Sequence, residues 1–367
     1  FLPIRTVKRP AMNSFDKVVR VADTYVAERR PQDLAWSWGE ALLLYSLSLL
    51  DDALGEARYR PFYQAYADHH HAVGFDVDQS DTCAPVLLTN ELYRKTGAEK
   101  YRQMTQAGID YLKHEPRLVE DLINHNGHSK DSRDYPRSIW VDSLMMSGVF
   151  SAIAAKDFGD PQLLAFCKTQ PRQFANYLQD PDSKLFHHAW WKILNRAYPR
   201  RLFWGRGNGW VVAALSMFLD HVDDADARLI LGEVSQALLP LQRADHYFDT
   251  VVNIPGDNYR ESSATALIAA GWLNAVDKGY LGEQYAAPAS NAFEAVVGNL
   301  RMEGNSAYMT EISLWTIPMF IAPYRLRWGP YPGYKYVKKG ENISYGVAAL
   351  VMAAINQRRY LARRVGR

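Results

Sequence analysis

Ser37-Trp38-Gly39-Glu40-Ala41-Leu42-Leu43-Leu44-Tyr45-Ser46-Leu47-Ser48-Leu49-Leu50 is apolar on nearly every side of a helix, and the segment before it is not. In Ser14 to Arg30 the residues Phe15, Val18, Val19, Ala22, Tyr25 and Val26 recur at helical spacing, while Asp16, Lys17, Arg20 and Glu28 fall on the other face. A one-sided helix lies on a surface, and a helix apolar all round is enclosed by neighbours. The pair predicts an outer helix followed by an inner one.

The same alternation recurs down the chain. Amphipathic stretches near 57–73, 100–114, 161–178, 225–243 and 284–300 each precede a more apolar or small-residue stretch, near 82–93, 139–155, 207–219, 262–275 and 343–355. About twelve helices in six hairpins result, which predicts an all-α fold, an (α/α)6 barrel with six outer helices around six inner ones. No linker or charge block divides residues 1–367, so one catalytic domain is expected. Strand signals are sparse; Val251 to Ile254 and Tyr334 to Val337 are the candidates. The uneven spacing of the inner helices argues against a sequence-repeat solenoid. The extra length lies in 115–138, 180–206, 244–260 and 301–342, just before inner helices, so these loops gather at one end of the barrel. Loops longer than about 12–15 residues are usually functional. That end also carries the positive N-termini of the inner helices, which suit an anionic ligand.

Composition narrows the classes. Of 367 residues 48% are hydrophobic and 22% charged, as in a globular protein with a large core. The 42 basic and 40 acidic residues are mixed along the chain, giving no field for gripping nucleic acid or an anionic membrane. Cys83 and Cys167 have no paired spacing, so neither a disulfide framework nor a zinc knuckle is expected, and a reducing, cytoplasmic setting fits best. Phe1 to Pro10 lacks an apolar signal core, although the chain does not begin with Met. Oligomeric state leaves no trace in the sequence.

Several segments carry candidate chemistry. Asp142, within Ser138-Ile139-Trp140-Val141-Asp142-Ser143-Leu144-Met145-Met146, shares a helix face with Met145, Met146 and Val149. Desolvation there raises a carboxyl pKa toward neutrality, the requirement for a proton donor; the bland alternative is an Asp that complements a helix dipole. In Arg201-Leu202-Phe203-Trp204-Gly205-Arg206-Gly207-Asn208-Gly209-Trp210, glycines admit close backbone approach, Arg206 suits a carboxylate, and Trp204 and Trp210 offer faces for sugar rings. The bland reading is a tight helix entry with the tryptophans in the core. No strand precedes it, and Trp210 stands where a dinucleotide fingerprint needs glycine. His187, His188, Trp190 and Trp191, with His125, His128 and Lys130, bring polar groups to the same mouth as contacts for hydroxyls or a carboxylate. Neither a zincin pair nor an acidic calcium loop occurs, so no metal or other cofactor is expected. His69, His70 and His71 point in different directions on a helix and read as a solvated face. Asp76, Asp78 and Asp81 precede an inner helix, as a second mouth carboxylate or as caps, for which Asp81 is well placed. Glu261, in Arg260-Glu261-Ser262-Ser263, reads as a cap or a support for Arg206. Trp315, Trp328, Tyr331 and Tyr334 are candidates for a distal subsite.

Taken together, Leu92-Tyr93-Arg94-Lys95-Thr96-Gly97, Tyr135-Pro136 leading to Trp140-Val141-Asp142, His188-Ala189-Trp190, Phe203-Trp204-Gly205-Arg206, Glu261-Ser262-Ser263 and Ser344-Tyr345-Gly346-Val347-Ala348-Ala349-Leu350 run through most of the chain in one order. In that order they resemble glycoside hydrolase family 105, the unsaturated rhamnogalacturonyl and related unsaturated glucuronyl hydrolases. The resemblance implies a small acidic oligosaccharide substrate and no nucleic acid or membrane partner. An aspartate of that family protonates the C4=C5 double bond of a terminal uronic acid, water adds at C5, and the hemiketal collapses. The resemblance implies that Asp142 is this aspartate and Asp81 the second catalytic carboxylate, with Asp78 the alternative. Trp204, Arg206, His188, His128, Lys130, Asn208 and Trp210 are the expected substrate contacts. The chain departs from the family in having Trp191-Lys192 where an acidic residue commonly follows the His-x-Trp pair, and in a longer segment before Tyr135. Both departures concern specificity more than reaction type. Competing readings are an inverting glycosidase, which needs carboxylates about 6.5–9.5 Å apart, a lyase or epimerase with a His or Tyr base, and a non-catalytic sugar-binding barrel.

Overall fold

A computed structural model describes residues 12–318 and 330–365; Trp328 lies outside the described residues. The outer helices are α1 (Ser14–Ala27), α3 (Arg60–Val73), α6 (Glu99–His114), α8 (Pro161–Leu178), α10 (Ala225–Leu238) and α12 (Ala286–Gly298). The inner ones are α2 (Trp38–Leu54), the pair α4 (Ser80–Cys83) and α5 (Val86–Thr96), α7 (Phe150–Phe158) with a π-helical turn Leu144–Val149 before it, α9 (Gly205–Leu219), α11 (Ser262–Asp277), and a last helix Ser344–Val365. Neighbouring inner helices pack in a ring: α2 on α5, α5 on α7, the π turn on α9, α9 on α11, α11 on the last helix, and that helix back on α2. The chain forms an (α/α)6 barrel.

Burial explains the sorting. Every residue of α11 from Ser262 to Val276 is buried, whereas α1 buries only Val18, Val21, Ala22, Thr24 and Tyr25. The crossing of α9 and α11 is close because Gly271 has no side chain: a Cβ there would lie 2.7 Å from the Val212 carbonyl carbon. Caps set the outer starts, with Asn13 accepting from the Asp16 N–H and Asp160 accepting from the Gln162 and Leu163 N–H groups.

Strand content is where expectation and structure part. Val251 makes only an isolated bridge to Trp204, and Tyr334 sits in a short helical turn, Pro332–Lys335, because Pro332 opens that turn and removes a ladder donor. A three-stranded sheet forms at the mouth: β1 (Ser138–Trp140), β2 (Ala189–Trp191) and β3 (Arg196–Tyr198), antiparallel in that order. The expected helix at 139–155 thus begins as a strand, and helical hydrogen bonding starts only after Val141. Among the described residues no helix is long and apolar enough to cross a membrane.

Candidate active site

The β1–β2 ladder pairs Trp140 with Ala189, and the Val141 N–H donates to the His188 carbonyl at 2.9 Å. Asp142 follows at once in the turn that opens the π helix, its own carbonyl accepting from the Met145 and Met146 N–H groups at 2.9 and 3.2 Å. The ladder therefore fixes Asp142 and His188 against one another. Asp142 opens into a cleft of about 330 Å³ whose lining includes Trp38, Gln79, Asp81, His125, Asn126, Asp131, Tyr135, Trp140, Trp204, Arg206 and Trp315. They come from the loops that precede inner helices, at the end where those helices begin.

Asp142 is 8% exposed, and its Oδ1 has no hydrogen-bond partner among the described residues. Burial pushes its carboxyl up to about 6, against the lowering pull of its own backbone N–H and of Arg206. Asp81 keeps 29% of its side chain open to the cleft. Burial, then the charges of Asp142 and Asp131, push it up to about 8. The helix cap there is Gln79, in a capping box with Thr82, so Asp81 is not spent as a cap. Asp78 is consumed by the chain: its carboxylate accepts from the Thr82 hydroxyl at 3.0 Å, and its carbonyl accepts from the His128 N–H.

Behind Asp81 stands His125, whose ring lies flat on Trp140 with centroids 4.1 Å apart. Burial pushes His125 down to about 3, so the ring is neutral and carries one proton. Ser143 accepts from the Ser80 hydroxyl at 2.9 Å and meets His125 Nδ1 at 2.9 Å. The other ring nitrogen, Nε2, faces Asp81 Oδ1 at 3.7 Å. His188 is stacked on Trp204 at 4.1 Å and held through Nδ1 by the Tyr334 hydroxyl at 2.7 Å, while burial keeps it neutral. Its Nε2, Trp204 Nε1, Arg206 Nε and Asn126 Nδ2 are buried without partners among the described residues. Those of Trp204, Arg206 and Asn126, with Asp142 Oδ1, belong to residues that line the cleft, where a polar ligand can satisfy them.

Arg206 is 1% exposed and lies between the rings of Trp204 and Tyr345, 4.7 Å from each centroid. It donates through Nη1 to the Ser313 carbonyl at 2.8 Å and through Nη2 to the Leu314 carbonyl at 3.1 Å. Glu261 caps α11 and stands 3.9 Å from Nη1, which bears out its reading as cap and support. Arg206 has a structural duty as well as a face in the cleft.

Other expected contacts are not brought to the cleft. Trp210 lies one helical turn below Arg206 in the core, edge-on to Trp38 at 6.1 Å. Asn208 is consumed by the chain, accepting from the Phe186 N–H at 2.8 Å and donating to the Phe186 and Trp204 carbonyls at 3.0 Å. His128 is exposed and bonded to Glu115 at 2.6 Å, and Lys130 is exposed at the start of a 3-10 turn. The glycines serve packing rather than ligand approach: a Cβ on Gly205 would lie 2.3 Å from the Asp249 carbonyl oxygen, and one on Gly207 2.8 Å from the Trp204 ring. His70 is buried on Trp36 and Tyr66 rather than solvated, its Nε2 bonded to the Leu34 carbonyl. Conversely, Asp131, Gln79 and Trp38 line the cleft unforeseen; nothing in their local sequence distinguishes them from other loop and helix-entry residues.

A barrel mouth holding a buried acid raised to about 6, a second raised carboxyl and aromatic walls is that of a carbohydrate-cleaving enzyme. The family model described as Glycosyl Hydrolase Family 88 matches residues 11–361, and the chain belongs to that family. It is a glycoside hydrolase. Among its relatives is the unsaturated rhamnogalacturonyl hydrolase YesR of Bacillus subtilis (strain 168), 25% identical over 284 residues, which are 71% of this chain and 76% of YesR. Among solved structures, a possible member of the GH105 family from Klebsiella pneumoniae superposes with a TM-score of 0.83 at 22% identity, covering 98% of this chain and 96% of that one. The unsaturated glucuronyl hydrolase of Bacillus sp. GL1 superposes with a TM-score of 0.71 at 16% identity, covering 93% and 94%. The two superpositions establish the shared barrel fold.

Proposed function

We propose that this chain, acting as one cytoplasmic catalytic domain, removes the terminal 4,5-unsaturated uronic acid from oligosaccharides left by polysaccharide lyases, by hydrating the C4=C5 double bond. The observation that carries this reading is the Asp142 carboxyl, buried, unpartnered at Oδ1 and raised to about 6. A group so poised donates its proton near neutrality and takes one back. Asp142 protonates C4, leaving cationic character at C5 and the ring oxygen. Water adds at C5 as Asp142 recovers a proton from it, and the hemiketal opens, releasing the rest of the sugar and an open-chain keto acid. Asp81, protonated up to about 8, donates to a ring hydroxyl, and Arg206 with the helix N-termini supports the uronate carboxylate. An inverting glycosidase would need its second carboxylate ionised as a base, which the raised Asp81 is not at neutral pH. The unpaired, buried Cys83 and Cys167 support the cytoplasmic setting.

The test is to follow the ultraviolet absorbance of the double bond while the protein is incubated with unsaturated rhamnogalacturonan and glucuronyl disaccharides. Decay is expected with at least one of them; persistence across the panel would sink the hydration reading in favour of an epimerase or a binding barrel. The pH profile follows from the same carboxyls. Because the acid form of Asp142 starts the reaction, kcat/KM is expected to fall about tenfold per pH unit above about 6, and to steepen above about 8 where Asp81 ionises. A profile rising through pH 7 would count against Asp142 as the donor.

A further inference from the structure

We propose that Asp131 makes this barrel select a neutral leaving sugar and reject one bearing a sulfate or carboxylate beside the scissile bond; the inference rests on the hydration reading. A chain-end sugar enters a blind cleft first, so the unsaturated uronate occupies the bottom and the leaving sugar the rim. The bottom is formed by buried Asp142, Trp204 and Arg206. At the rim stand Asp131, Gln79, Tyr135 and Trp315, the last 80% exposed with its ring open to solvent.

Among the rim residues that line the cleft, the charged one is Asp131. Asp131 lies in the 3-10 turn Lys130–Arg133, its carbonyl accepting from the Asp134 and Tyr135 N–H groups, and its carboxylate meets Gln79 Nε2 at 3.4 Å. That contact is long and leaves the anion uncompensated. Among the described residues the one Lys or Arg lining the cleft is Arg206, at the bottom and committed to the Ser313 and Leu314 carbonyls. Lys130 and Arg133 flank Asp131 in its turn, both exposed, and neither lines the cleft; His128 is bound to Glu115, and Lys192 donates to the Leu118 carbonyl at 3.3 Å. A sulfate on the leaving sugar would face Asp131 with no cationic side chain among the rim residues that line the cleft, whereas hydroxyls of a neutral sugar can donate to that carboxylate and its C–H face can cover Trp315. Repulsion between two unit charges a few Å apart in a half-solvated cleft amounts to on the order of tenfold in rate, screened by salt.

The experiment compares kcat/KM for an unsaturated glucuronyl-rhamnose disaccharide and its counterpart sulfated on the rhamnose, with wild type and Asp131→Asn, at low and high ionic strength. Wild type is expected to favour the neutral substrate by about tenfold or more, the ratio narrowing with salt. In Asp131→Asn the ratio collapses because the sulfated substrate improves, and it no longer responds to salt. Equal or better use of the sulfated substrate by wild type, or a salt-insensitive ratio that the variant retains, overturns the proposal. The wild-type salt response decides the matter if the variant does not fold. Absence of double-bond loss with both disaccharides instead overturns the hydration reading, and this inference with it.

Discussion

Asp142→Asn is expected to lower turnover of an unsaturated disaccharide by about a thousandfold or more while the barrel stays folded. A positioned acid or base contributes about 10²–10⁴, and one carboxyl here fills both roles, giving a proton to C4 and taking one from water. An amide has the same shape and can do neither. Stability should move the other way. The Asp142 carboxyl is raised in the fold, to about 6, so its ionised form is disfavoured there and its contribution to stability is lost as pH rises through that value. The uncharged amide escapes this penalty, so thermal melts at pH 8 are expected to show the variant at least as stable as wild type. Retained turnover in a folded variant would place the proton donor elsewhere.

The second large effect is on stability rather than rate. Glu261 is 0% exposed, and its carboxylate accepts from the Ser263 and Ala264 N–H groups, the Ser263 hydroxyl and the Ser313 N–H at 2.8 Å. It ties the start of α11 to the strand segment Ile312–Ser313, whose carbonyl Arg206 also holds. Glu261→Ala strands these donors and leaves the buried guanidinium without its counter-charge, a loss expected to cost about 3–5 kcal/mol. Glu261→Gln keeps one oxygen acceptor and should cost less. Denaturant titration of the three proteins checks the order; an alanine variant as stable as wild type would remove Glu261 from its place as the hub of the mouth.

How far the chain could be read in advance follows from which signals are local. Helical periodicity is local, and the predicted outer helix at 161–178 coincides with Pro161–Leu178. Ser138–Trp140 failed because a short apolar run fits a buried helix as well as a strand, and only its partner, fifty residues on, decides. Arg206, Asn208 and Trp210 look equivalent as neighbours in a glycine-rich run. Helix direction separates them, sending the first into the cleft, the second to the Phe186 backbone and the third to the core. Of the histidines in Asn124 to His128, the fold turns His125 inward on Trp140 and His128 outward to Glu115. Asp131 gave no signal because its importance lies in being near Asp81, 50 positions away in the chain.

The π-helical turn Leu144–Val149 carries a lesson about inheritance. A π turn is an α-helix with a residue to spare, and in an α-helix each residue advances the chain by about 100°. The bearing of the acid relative to the rest of α7 is thus stored as a residue count rather than as any particular side chain. Descendants of this chain are free to exchange the apolar residues of the turn for others of similar bulk, but the loss of a single codon there would turn α7 by about 100° relative to the ladder-held Asp142, with every side chain of the site still present.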